Sequence, residues 1–197
     1  GAGALGHRRV ERVSHGRFLQ ARRIWGVLVL AALAMAAGPL RAQDGQRPPL
    51  GTPWNARVLY VVDGDSLWVR PEGGGFRARL RLEGIDAPEI CQDQGPESRA
   101  ALQALALGRR VRVTVRTYDR YGRAIASVVR LDGEVDLAGR MVASGQAWNE
   151  TFRWHQGLYP QEQEAARKAR LGLFAARDPE PPADFRRRHG SCARPAR

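Results

Sequence analysis

Short apolar runs separated by turn residues fill the middle of the chain and predict a set of β-strands. We predict five strands, at residues 58–62, 66–70, 77–82, 111–115 and 125–129. The third run alternates basic and apolar side chains, as a strand with one buried face does. Asp63-Gly64-Asp65 and the Gly73-Gly74-Gly75 stretch supply the turns between the first three strands.

Three helices are predicted around these strands. Gly95-Pro96-Glu97 opens a helix that ends at Gly108, since proline suits the first turn and an early glutamate complements the helix dipole. A short helix is predicted over residues 136–144. A longer one is predicted over residues 160–170, with acidic residues early and basic residues late.

The order of these elements predicts an α+β fold. Three strands, a helix, two strands and two helices describe a five-stranded oligonucleotide-binding (OB-fold) β-barrel with three helices. A simple sandwich is the alternative arrangement. The 197 residues are enough for one compact domain and short for two.

The two ends of the chain have a different character. Residues 1–42 contain an arginine-rich lead and fourteen apolar residues from Ile24 to Ala37, which predicts a signal peptide cleaved near Ala42. An uncleaved anchor or a core helix is the alternative. We predict a linker at 43–53, the barrel domain at 54–177 and an irregular basic tail at 178–197. The expected destination is the periplasm or the medium, without stable membrane association after cleavage.

Net charge adds less than its size suggests. The chain carries +12, which favours an anionic partner. Residues 1–42 hold +6 and residues 183–197 hold +4, so the predicted barrel domain is almost neutral. All basic residues except Lys168 are arginines, a pattern that a general bias toward arginine explains as well as phosphate binding does.

Two cysteines, Cys91 and Cys192, occur in the whole sequence. They lack the paired spacing of a structural zinc site. In an exported protein such cysteines more often pair than stay free, although two inert buried thiols remain the alternative.

Acidic residues cluster at predicted strand ends. They are Asp63, Asp65, Asp86 and Glu89, with Arg81 five residues before Asp86. Carboxylates grouped with a free backbone carbonyl suit a hard divalent cation, whereas the plainer interpretation is a set of turn formers.

A second cluster, Asp119-Arg120-Tyr121-Gly122-Arg123, lies between the last two predicted strands. It is either a hairpin turn with solvated arginines or a turn that presents the Arg123 guanidinium to two oxygens of a phosphate.

Together these motifs resemble the staphylococcal (micrococcal) nuclease family. The resemblance rests on the Asp63–Ser66 turn, the run from Arg81 to Glu89 and the Asp119–Arg123 cluster. The helix opening at Gly95 and the ending Arg170-Leu171-Gly172-Leu173-Phe174 are similar too. It covers about residues 54–175, and the order and spacing of the motifs make it specific.

The resemblance implies Ca²⁺-dependent hydrolysis of DNA and RNA with 3′-phosphate products. By position it implies Ca²⁺ ligands at Asp65, Asp86 and the Ala87 carbonyl, a general base at Glu89, phosphate-binding arginines at Arg81 and Arg123, and a substrate contact at Tyr121. The chemistry is consistent, because a phosphodiester repels a water nucleophile and its hydrolysis needs cations and a base. A monomer is expected.

The chain departs from the family pattern near the predicted base. Ala87 replaces a threonine, which keeps the carbonyl and loses a hydroxyl. The segment between Glu89 and Gly95 is short and contains Cys91. A bridge from Cys91 to Cys192 would hold the tail beside the base, which is a hypothesis at this point.

A non-catalytic nucleic-acid or protein-binding module on the same barrel is the alternative function. Aromatic residues such as Trp68, Trp148 and Trp154 would then bind single strands. A binding module does not need the full set of charged site residues, so their joint presence favours the enzyme.

Overall fold

Eight strands are present in the computed structural model, which describes Gly1 and residues 47–152 and 154–192. In chain order they are β1 (Trp54–Val61), β2 (Ser66–Pro71), β3 (Ala78–Leu82), β4 (Ile85–Asp86), β5 (Arg110–Tyr118), β6 (Ala124–Arg130), β7 (Val135–Asp136) and β8 (Trp148–Asn149). Antiparallel pairing runs from β3 through β2, β1 and β5 to β6, and parallel pairing of β3 with β6 closes the ring. The predicted α+β fold with a closed five-stranded barrel is confirmed.

The barrel interior is built by the period-two alternation of its strands. Ala56 and Val58 on β1, and Leu80 and Leu82 on β3, are buried, while the residues between them are more exposed. Leu102 of the first helix adds a further buried side chain. The alternation seen in the sequence therefore marks the inward face of each strand.

Helices cover the barrel and continue past it. They are α1 (Gly95–Ala106), α2 (Leu137–Ala143), α3 (Pro160–Lys168) and α4 (Pro182–His189), with a 3₁₀ turn at Gly172–Ala175. The first three correspond to the predicted helices. The described residues thus contain four α-helices where three were predicted.

The fourth helix corrects the prediction of an irregular tail. Pro182 stands in the first turn of α4, Asp184 complements its N-terminal dipole, and Arg186–His189 complement its C-terminal dipole. The prediction weighed the polarity of the segment alone. It missed that a polar helix gains stability from tertiary contacts, which here include a disulfide between Cys91 and Cys192.

Several predictions concern residues that the structure does not describe. The predicted signal peptide lies there apart from Gly1, as do residues 43–46 of the predicted linker and residues 193–197 of the tail. Within the described residues, no helix combines the length and apolar character required to cross a bilayer.

Strand register brings the predicted site together at one end of the barrel. Ser66 of β2 pairs with Arg81 of β3, which sets Asp65 beside the end of β3. The short strand β4 pairs with β8 and fixes Asp86 opposite Trp148. Residues that are distant along the chain therefore meet at this edge.

Gly95 at the start of α1 provides a test of how tightly this region is packed. A Cβ at position 95 would lie 2.0 Å from the Glu89 carbonyl oxygen, whereas one at Gly73 would meet no atom within 4 Å. We expect Gly95→Ala to lower the free energy of unfolding by about 1–3 kcal/mol, because backbone must move to relieve the contact. Urea denaturation with Gly73→Ala as control measures this, and equal stability of the two variants would contradict it.

Candidate active site

Arg81 is the centre of the candidate site. Its Nη1 donates to Asp65 Oδ2 at 2.5 Å, and its Nη2 donates to Asp86 Oδ1 at 3.1 Å and to the Ile85 carbonyl at 3.0 Å. The Arg81 side chain is only 13% exposed. One guanidinium therefore holds both carboxylates that the resemblance makes metal ligands.

Asp65 is buried and accepts three hydrogen bonds. Its Oδ1 accepts from the Ser66 hydroxyl at 2.8 Å, and its Oδ2 also accepts from the Ala87 backbone N–H at 3.1 Å. Burial by itself would raise the pKa of Asp65, but the Arg81 charge and these hydrogen bonds together lower it. Asp65 is therefore ionised in the folded protein.

Asp63, two residues earlier in the same turn, has the opposite character. Its Oδ1 accepts the Asp65 backbone N–H at 3.1 Å. Burial and then the negative charge of Asp65 raise the pKa of Asp63 to about 7. Burial acts on both neighbouring carboxylates, but only Asp65 has the Arg81 contact that opposes it, so their pKa values shift in opposite directions.

Glu89 lies just beyond, in the segment that leads to α1. Its backbone N–H donates to Gln92 Oε1 at 3.2 Å, and its carboxylate Oε1 accepts from Arg186 Nη1 at 3.2 Å. Arg186 belongs to α4 and also grips Asp86 with both terminal nitrogens, at 3.0 Å and 2.8 Å. The predicted base and a predicted metal ligand therefore share a second guanidinium.

Arg186 is not among the site residues predicted from the sequence. The structure contains the hypothesised Cys91–Cys192 bridge, with a Cα–Cα distance of 5.8 Å. That bridge holds the tail beside Glu89. The sequence signals for Arg186 were its place in the basic run Arg186–Arg188 and its position six residues before Cys192, together with the possibility of that bridge.

Glu150 is a further acidic residue that was not predicted from the sequence. Its backbone N–H donates to the Gly84 carbonyl at 2.9 Å, directly after β8. Burial raises the pKa of Glu150, with Arg81 opposing and Asp86 adding to the rise. Nothing in its local sequence pattern indicates this position, which follows from the pairing of β8 with β4.

The second predicted cluster forms the turn between β5 and β6. Asp119 Oδ2 accepts from Arg123 Nε at 2.6 Å, and Asp119 Oδ1 accepts the backbone N–H groups of Tyr121 and Arg123 at 2.9 Å each. Tyr121 is 69% exposed, with the Arg120 and Arg123 guanidiniums over its ring at 4.8 and 5.6 Å. This geometry joins Tyr121 and Arg123 in one turn.

The structure brings the two clusters near each other without direct contact. Parallel pairing places Ala124 opposite Leu80 and Ile125 opposite Arg81. Among the described residues no hydrogen bond or ion pair joins Tyr121 or Arg123 to the carboxylates of the first cluster, Asp63, Asp65, Asp86 and Glu89. Arg123 is thus next to the strand that carries Arg81, with its charge satisfied by Asp119.

The donor atoms at the first cluster fit a hard cation. Asp65 and Asp86 offer carboxylates that are both hydrogen-bonded to Arg81. Ala87, which lies between Asp86 and Glu89 in the sequence, offers a backbone carbonyl. All are oxygen ligands, which Ca²⁺ prefers. The residues that the structure describes include no group of three or more His, Cys, Asp or Glu side chains arranged as a metal cage. Any bound cation would need backbone and water oxygens as well.

The three tryptophans named for a binding module differ in environment. Trp148 packs edge-on against Phe174, with 5.1 Å between ring centroids, and beneath the Arg167 guanidinium. Trp68 is half-buried in β2, whereas Trp154 is 97% exposed. Trp154 alone of the three presents its ring to solvent.

Fold and site together define a class: an oligonucleotide-binding barrel whose strand ends carry an acidic centre bridged by arginine. A family profile described as staphylococcal nuclease homologue matches residues 79–176. The chain is 36% identical over 141 residues to an uncharacterized endonuclease of Escherichia coli, covering 72% of this chain and 90% of that protein. The chain belongs to the staphylococcal nuclease family, and nuclease is the class of enzyme that this membership indicates.

Two further relatives are similar over shorter stretches. An uncharacterized endonuclease of Haemophilus influenzae is 35% identical over 131 residues, covering 66% of this chain and 72% of that protein. A probable staphylococcal-like nuclease of Oryza sativa subsp. japonica is 36% identical over 109 residues, covering 55% of this chain and 32% of that protein.

The raised pKa of Asp63 predicts a pH-dependent stability of the metal-free protein. Between about pH 4 and pH 7 the folded state keeps a proton on Asp63 that the unfolded chain has lost, so the free energy of unfolding falls as pH rises. We expect Asp63 to contribute a loss of about 2–3 kcal/mol between pH 5 and pH 8.

Urea denaturation in a metal chelator, at both pH values, measures this contribution. Because Asp63→Asn cannot ionise, its stability should fall less over the same interval. Parallel pH profiles for the two proteins would show that Asp63 titrates normally.

Proposed function

We propose that this protein is an exported, Ca²⁺-dependent nuclease that hydrolyses DNA and RNA phosphodiesters and leaves 3′-phosphate products. The observation that carries the proposal is the pair Asp65 and Asp86 bridged by Arg81, with Glu89 three residues beyond Asp86. Family membership and the endonuclease relatives support the same reaction.

Arg81 and Arg123 provide positive charge at the place where negative charge would develop on the phosphate during the reaction. The described hydrogen bonds of Arg81 use three of its five N–H groups, which leaves Nε–H and one Nη1–H for a phosphate oxygen. Arg123 can present its own donors from the neighbouring turn once Asp119 releases them. Guanidiniums in such places stabilise a dianionic transition state more than the monoanionic substrate.

Glu89 is the group suited to accept the proton of the attacking water. It follows Pro88, its backbone N–H is held by Gln92, and its carboxylate faces Asp86 across the Arg186 guanidinium. Asp65, Asp86 and the Ala87 carbonyl would hold Ca²⁺, which when bound supplies positive charge that polarises the phosphate and the water. An ionised Asp65 is ready to act as such a ligand.

The side chains proposed to bind the substrate would contact its phosphates rather than its bases. Tyr121 and the arginines stacked on it offer a hydroxyl and guanidinium groups to a phosphate backbone. Such contacts carry no sequence information, and DNA and RNA share the phosphodiester that they would bind, which supports cleavage of both. A binding module on the same barrel would not need Glu89 or the bridged carboxylates.

Cleavage assays with matched variants test the reaction. Single-stranded DNA should be cut with Ca²⁺ and stay intact with a Ca²⁺ chelator. Glu89→Gln should lower the rate about 10²- to 10⁴-fold, since it removes the base. Arg123→Ala should lower it about 10²- to 10³-fold, because one cation of the transition state is lost.

Controls on the protein surface separate chemistry from folding in these assays. Glu97→Gln and Arg109→Ala change exposed residues outside the site and should cleave at the wild-type rate. Release of phosphate from the products by a 3′-phosphatase checks the position of the cut. Intact DNA with folded wild-type protein and Ca²⁺ would favour the binding module instead.

Export is supported by two independent features. Residues 1–42 have the pattern of a signal peptide, and Cys91 and Cys192 form a disulfide, which persists in oxidising compartments. We expect the protein produced in a bacterium to lose about 42 N-terminal residues and to reach the periplasm or medium.

Fractionation and mass spectrometry of the N-terminus measure export. Leu30→Arg interrupts the apolar run and should keep the chain in the cytoplasm at full length. Full-length wild-type protein in the cytoplasm would refute export while leaving the nuclease proposal intact.

A further inference from the structure

The C-terminal helix α4 places a guanidinium on the carboxylates that the proposed reaction needs. Arg186 Nη1 and Nη2 contact Asp86 Oδ1 and Oδ2 at 3.0 and 2.8 Å, and Nη1 also contacts Glu89 Oε1 at 3.2 Å. We infer that Arg186 is a built-in competitor of the cation, which must displace this guanidinium to bind Asp86. The inference rests on the proposed Ca²⁺ site.

Occupation of the Asp86 oxygens makes the competition direct. Oδ1 already accepts from Arg81 as well as from Arg186, so both of its acceptor positions are used. Oδ2 accepts the second nitrogen of Arg186. Oδ2 keeps one further acceptor position, but a cation bound there would lie beside the Arg186 guanidinium, and two positive charges so close repel each other. Ca²⁺ binding to Asp86 therefore favours the displacement of Arg186.

The contact is specific to one of three consecutive arginines. Arg187 pairs with Asp184 within α4, and Arg188 pairs with Glu180 just before it. Both of these side chains are largely exposed, while that of Arg186 is 33% exposed. Because successive helical residues are rotated by about 100°, only one of the three can face the site. The interaction is therefore more than general attraction of a basic tail.

Both ends of the helix are fastened to the segment that follows Glu89. Before α4, the Glu180 carbonyl accepts from Gln92 Nε2 at 2.8 Å, and Gln92 also holds the Glu89 backbone. After α4, Cys192 is bonded to Cys91. These anchors keep Arg186 near the carboxylates at a high effective concentration, since the helix cannot diffuse away when the contact opens.

The surrounding charge favours a second cation at this place. Asp65 and Asp86 contact Arg81, and Asp86 and Glu89 contact Arg186, so three carboxylates are gathered here. Arg81 compensates only one negative charge. Arg186 therefore compensates a charge that Ca²⁺ would otherwise compensate, and removing it makes the site more attractive to the metal.

Calcium titration by calorimetry on the full-length chain tests the competition. We expect Arg186→Gln to bind Ca²⁺ about tenfold more tightly than wild type, since a charged two-pronged hydrogen bond no longer has to be broken. Arg187→Gln removes the same charge from the same helix and should bind like wild type. Arg186→Lys keeps the charge without the fork and should lie between wild type and Arg186→Gln.

Helix opening gives a second readout that does not depend on cleavage. In wild type, saturating Ca²⁺ should speed amide hydrogen exchange in residues 183–189, because the metal releases Arg186. The double variant Cys91→Ser/Cys192→Ser should bind Ca²⁺ a few-fold more tightly, since the anchored helix becomes freer to leave. Slower exchange with Ca²⁺ would overturn the inference.

The possible failures of inference and proposed function are distinguishable. If wild type binds Ca²⁺ and Arg186→Gln binds it equally or more weakly, Arg186 is not a competitor and the Ca²⁺ site stands. If neither protein binds Ca²⁺, the metal site fails and the competition with it.

Discussion

Repulsion between like charges is the constraint around which this end of the barrel is organised. Asp65 and Asp86 come from separate strand ends, and two ionised carboxylates do not stay together inside a protein without a cation. Arg81 provides it from the strand between them, bonding to both at 2.5 and 3.1 Å. The register of β2 with β3 places Asp65 beside Arg81, and the pairing of β4 with β8 fixes the position of Asp86. One guanidinium can therefore contact both carboxylates.

The same constraint explains the protonation pattern around the site. Burial raises the pKa values of Asp63 and Glu150, whereas at Asp65 direct contact with Arg81 outweighs burial and the pKa is lowered. The single positive charge of Arg81 does not compensate all of the acidic residues gathered here. A site of this composition needs a further cation, and two candidates exist: a divalent metal, or the arginine that α4 provides.

The sequence predicts this structure best where the position of a residue follows from the local pattern of apolar, polar and turn residues. The alternation in residues 77–82 and the turns at Asp63–Asp65 place β3, Asp65 and Arg81, and the order of elements predicts the closed barrel. Strands β4 and β8 have two residues each and leave no periodic signal. Glu150 was missed for that reason, since its place at the site depends on the pairing of those two strands.

The tail shows the other limit of such reasoning. A polar segment rich in arginine predicts disorder because it buries little apolar surface, and α4 buries little beyond Pro182. An exposed ion pair contributes little on its own, since ordering two long side chains cancels most of the attraction. Here the bridge to Cys91 and the hydrogen bond from Gln92 have already ordered the helix, so the Arg186 contact keeps more of its attraction. Whether a basic tail is solvated or inserted into a site therefore depends on its anchors, and composition alone does not reveal them.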